Sequence, residues 1–90
     1  MKAEKIFQTE MRFSETMATL GCDDPFIRQT ASSTFIITLP HPTQDVEYVV
    51  STWTSRKEAR EFKDIGRAVN SAVKMGARSV HLDVRKGEGA

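Results

Sequence analysis

Ser55-Arg56-Lys57-Glu58-Ala59-Arg60, with the residues that continue from it to Gly76, decides how the chain is read. Wound at about 100° per residue, Arg56, Arg60, Lys63, Arg67 and Lys74 fall within an arc of about 60°. Phe62, Ile65, Val69 and Val73 gather on the opposite side, so one long helix would carry a core face and a basic face. Its start is specified by a capping box, in which the Ser55 hydroxyl accepts from the Glu58 amide and the Glu58 carboxylate reaches back to the Ser55 amide. Gly76 supplies the stop. Gly66 inside such a helix costs about 1 kcal/mol relative to alanine. It falls near the core face, so close packing of helix on sheet is its expected reason.

Working outward from that helix, Val46 to Thr54 alternates as a strand, with Val46, Tyr48 and Val50 on one face and Glu47, Val49, Ser51 and Trp53 on the other. Before it, Phe26 to Leu39 is rich in Phe, Ile and Thr, with Ala31-Ser32-Ser33 as the break between two strands of a hairpin. Phe35, Ile37 and Leu39 share a face, as a sheet with one buried side requires. Pro40 to Asp45 makes a loop. Residues from about Ala3 to Leu20 fit an amphipathic helix with Ile6, Phe13, Met17 and Leu20 on one stripe and Gly21 as its stop. After Gly76, Arg78 to Arg85 alternates Val80, Leu82 and Val84 against His81, Asp83 and Arg85, the pattern of a short edge strand. The expected fold class is therefore α+β: an N-terminal helix, a three-stranded antiparallel sheet, a second long helix and a short C-terminal edge strand, with both helices on one face of the sheet. Residues 1–85 would form a single domain and 86–90 a flexible tail.

Ninety residues leave room for one domain, and 39% hydrophobic with 28% charged residues is the balance of a folded protein. The formal net charge of +1 exerts no global pull on nucleic acid or anionic lipid, so an electrostatic function must come from local arrangement. A lone Cys22 forms no internal disulfide and favours a reducing compartment, with the cytoplasm as default. Nothing in the chain has the length of a membrane span or the core of a signal peptide. His41 lies between two prolines in a loop and with Cys22 alone offers no ligand spacing for zinc, so neither a metal nor another cofactor is expected.

The element order of a helix, three antiparallel strands and a second helix resembles the double-stranded RNA-binding domain. Ser55-Arg56-Lys57-Glu58-Ala59-Arg60 is similar to the Ser-Lys-Lys-Glu-Ala-Lys stretch that begins that family's second helix. The resemblance implies that Arg56, Lys57 and Arg60 contact phosphates across a duplex, which is how A-form RNA is commonly read. The family's Gly-Pro-x-His loop has no counterpart, Ala31-Ser32-Ser33 standing in its place. Small toxins of the HicA type look like a variant of the same fold, with Phe26 to Ser33 loosely similar to their first-strand region. Their catalytic histidine is missing after Ser32.

Two functional expectations follow. The first is a non-catalytic binding protein that uses Arg56, Lys57, Arg60, Lys63, Arg67 and Lys74 on a nucleic acid backbone, structured RNA above all. Each cation that neutralises a phosphate releases a condensed counterion, and the acids Glu61 and Asp64 lie off the basic stripe. The second is a small protein-interaction module, a regulator or inhibitor of the kind encoded by phage or mobile elements. It would dock through Ile36, Val49 and Trp53 on the sheet face away from the helices, against a protein partner or in a homodimer. His81 and Asp83 share a side of the last strand, but as polar residues on a wet face rather than as an acid and base pair. An enzyme is not expected.

Overall fold

The computed structural model describes residues 4–52, 54 and 57–83. In chain order these form β1 (Glu4–Gln8), α1 (Glu10–Leu20), β2 (Phe26–Gln29), β3 (Phe35–Pro40), β4 (Val46–Val50), α2 (Ile65–Lys74) and β5 (His81–Asp83). The strands make one five-stranded sheet in the order β1-β4-β3-β2-β5. Its centre is antiparallel, β3 pairing with β2 on one side and β4 on the other, whereas both edges are parallel: β1 on β4 and β5 on β2.

This corrects the expected three-stranded antiparallel sheet. The missing strand is β1, because residues 4–8 do not belong to the first helix. Glu4 to Gln8 align in parallel with Val46 to Val50, and the pairing is closed by Glu4 N–H on the Asp45 carbonyl (3.1 Å) and Ser51 N–H on the Gln8 carbonyl (2.7 Å). Thr9 then caps α1, its side chain accepting from the Arg12 amide, and Gly21 ends the helix in the left-handed conformation (φ 68°). Ile6 has the spacing of a helical stripe with Phe13 and Met17, but a partner some forty residues away claims it for the sheet.

The second helix is also shorter than expected. It spans only Ile65–Lys74, and its N-cap is Asp64, whose carboxylate accepts from the Arg67 amide at 2.8 Å. Residues 58–62 run extended, in the gap where β3 and β4 part. Thr52 N–H donates to the Glu58 carbonyl, Arg60 N–H to the Val50 carbonyl, and Phe35 and Phe62 exchange both backbone hydrogen bonds at 2.8 Å. Phe62, 7% exposed, joins the core at the end of the sheet. A helix through this stretch would leave those sheet carbonyls and amides without partners, at a cost comparable to lost hydrogen bonds. Ser55 of the expected capping box lies outside the described residues, as do the expected tail 86–90 and the end of the last strand beyond Asp83.

Both helices cover one face. Phe13 and Met17 of α1 and Ala68 and Ala72 of α2 pack with Ile27, Ile37, Leu39 and Val50 in one core. Ser71 Oγ donates to Glu10 and Ser14 Oγ to the Met75 carbonyl, contacts one turn apart in the same order along both helices. The helices therefore lie side by side and run in the same direction. The buried line of α2 runs through alanines, so Val73 is turned outward at 57% exposure rather than into the core. Gly66 lies exposed in the first turn of α2, where a Cβ would approach the Asp64 carboxylate to 3.3 Å; room for the cap, not sheet packing, is what its missing side chain provides.

Candidate functional site

The basic residues of the expected helix do not form one stripe, yet four of them meet. Arg60, Lys63, Arg67 and Lys74 line a groove of about 640 Å³ between the extended 60–64 stretch and α2, together with Glu10, Glu61, Phe62, Asp64, Asn70 and Ser71. On the helix side the lining positions are 67, 70, 71 and 74, the spacing of one helical face. On the other side Arg60 is positioned by its backbone bond to Val50, and its guanidinium lies 5.1 Å over the Phe62 ring. Arg56 is outside the described residues, and Lys57 sits exposed in the turn before Ala59, apart from the groove lining.

The cations differ in what they already hold. Arg60 Nη1 makes an ion pair with Glu10 Oε2 at 2.8 Å, and Ser71 Oγ donates to the same oxygen at 2.9 Å. Arg67 Nε reaches Asp64 at 3.5 Å with both side chains exposed, a geometry that contributes little. Lys63 and Lys74 make no ion pair with any described residue. Glu61 is engaged by the Thr34 hydroxyl at 2.7 Å. Glu10, in the first turn of α1, lies beside Ser71, nearly two turns along α2 from the Asp64 cap, so the two helix N-termini, where the dipoles are positive, stand at different points along the groove.

Among the described residues the opposite face of the sheet does not show the apolar patch expected from Ile36, Val49 and Trp53. Val49 is on that face but 1% exposed, and Trp53 lies outside the described residues. Ile36 lines a trough of about 540 Å³ with Lys5, Arg28, Thr30 and Asp83. Arg28 dominates this face. Its Nε donates to Thr38 Oγ1 (3.0 Å), its guanidinium pairs with Glu47 (3.0 Å) and Asp83, and it lies 4.7 Å over the Phe26 ring.

His81 and Asp83 share this face without forming a couple. His81 stacks on Phe26 and meets Asp24 at 3.0 Å, while Asp83 holds Arg28. His41 Nδ1 accepts from the amides of Thr43 and Gln44, shaping the β3–β4 loop. Among the described residues no group of three or more His, Cys, Asp or Glu could hold a metal ion, and no helix is long and apolar enough to cross a membrane.

Sequence periodicity missed Glu10, Asn70 and Ser71. Asn70 and Ser71 could have been found once the helix was confined to Ile65–Lys74, since they are three and four residues from Arg67 and Lys74. Glu10 carries no local signal, because α1 and α2 are brought together only by the sheet beneath them. Comparison with protein-family models, curated proteins and solved structures gives no match for this chain.

Proposed function

We propose that the protein is a non-catalytic binding protein that grips a nucleic acid backbone in the groove between residues 60–64 and α2. The observation that carries this is the pair of lysines, Lys63 and Lys74, exposed on that groove without a carboxylate partner among the described residues. Arg67 adds a cation held only by a long surface contact, and the N-terminus of α2 beside it adds to the field. Asn70 offers hydrogen bonds to sugar or phosphate without adding charge. The groove's cations and Asn70 address the sugar-phosphate backbone, common to RNA and DNA, and duplex RNA is the probe.

The test is binding of a fluorescent RNA duplex of about 20 base pairs across a series of salt concentrations. Affinity should fall with salt, with a log–log slope of about one for each phosphate neutralised. Lys63→Glu combined with Lys74→Glu should abolish binding and lower the melting temperature by only a few degrees, as neither side chain makes an ion pair with a described residue and the cost is the loss of one cation from the last turn of α2. Binding that ignores salt, or that survives the double charge reversal, would remove the proposal.

A further inference from the structure

We infer that the Glu10 carboxylate occupies an anion seat made by Arg60 and Ser71, and that a phosphate oxygen of the bound backbone takes its place. This rests on the proposed nucleic acid binding and adds to it a specific contact point and a built-in competitor. Two donors from distant parts of the chain, a guanidinium at 2.8 Å and a hydroxyl at 2.9 Å, converge on one carboxylate oxygen inside the groove. A short, charge-assisted pair of this kind is what a phosphate oxygen accepts in an arginine site. Glu10 is half exposed, at 42%, so the exchange needs a side-chain rotation and no opening of the core. Arg60 cannot leave as readily. Its backbone amide is fixed to Val50 and its guanidinium lies over Phe62, so the donor stays when the carboxylate moves.

The exchange swaps one anion for another on Arg60 and is therefore nearly silent in counterion release. Lys63 and Lys74, which hold no anion of the protein, contribute the salt dependence instead. Glu10 thus sets a threshold: a ligand must offer several phosphates to displace it, which favours a polyanion over a lone phosphate.

Removing the charge at Glu10 while keeping the shape should free the seat. Glu10→Gln should bind the same RNA duplex several-fold to about tenfold more tightly, and its salt slope should steepen by about one, because Arg60 then neutralises a phosphate without surrendering a carboxylate. Glu61→Gln is the control. Glu61 lines the same groove and loses the same charge, but it is held by Thr34 and makes no ion pair with a described residue, so its gain should be smaller and its slope unchanged. In the unmodified chain, duplex RNA should shift the side-chain carboxyl carbon resonance of Glu10, a measurement that survives if the variant fails to fold. Equal gains from both variants, no gain from Glu10→Gln, or an unmoved Glu10 resonance on binding would overturn the inference while leaving the wider proposal intact. No binding by any form at low salt would overturn both.

Discussion

Arg28 of β2 reaches over the intervening strand β3 to pair with Glu47 of β4 at 3.0 Å, and on its other side it holds Asp83 of β5. One guanidinium so ties four adjacent strands, because its Nε also donates to Thr38 of β3. The contacts work as a unit: the Glu47 side chain is 14% exposed and Thr38 1%, so neither can recover fully through water what it would lose with Arg28.

Arg28→Met should therefore destabilise the fold by about 1–3 kcal/mol in urea unfolding, the range for leaving buried acceptors without a donor. Arg78→Met is the comparison. Arg78 meets Asp23 at 3.5 Å with its side chain 88% exposed, and losing such a pair should not change the midpoint measurably. Equal effects would show that the Arg28 network adds nothing beyond a surface ion pair.

Hydrogen exchange separates the extended 58–62 stretch from the helix that its periodicity favours. The amides of Arg60 and Phe62 donate to Val50 and Phe35 and should be protected. The Glu61 amide between them has no backbone acceptor among the described residues and should exchange much faster. A helix would protect all three alike, since each amide would then bond to the carbonyl four residues back.

Asp64 marks where that stretch turns into α2, and its carboxylate accepts from the Arg67 amide at 2.8 Å. Asp64→Ala should cost about 1 kcal/mol by thermal unfolding, and Asp64→Ser should restore most of it, as both Asp and Ser can accept from the third helical amide. A cap at Ser55 would make Asp64 an ordinary surface residue, and both substitutions would then be neutral.

The central strands were legible because their alternation is local. Phe35, Ile37 and Leu39 face the helices as their period of two requires, and the Ala31-Ser32-Ser33 break falls in the turn between β2 and β3, where Ser33 takes a positive φ of 64°. Four groove cations, Arg60, Lys63, Arg67 and Lys74, were legible as candidates for the same local reason. Their common helical stripe was not real, and they converge instead because a strand-like segment and a helix face one another.

By itself, the amino-acid sequence determined the α+β class, the hairpin of β2 and β3, the strand β4 and the glycine that ends α1, since each depends on contacts within a few residues. Only the tertiary structure decided that residues 4–8 form a strand, that 58–62 fill the gap between β3 and β4, and that Glu10 meets Arg60. Ile6 and Phe62 satisfy a helical period as well as a strand's. What chooses between them is the backbone hydrogen bonds offered by β4 and β3, which are remote in sequence and exist only once the sheet has formed.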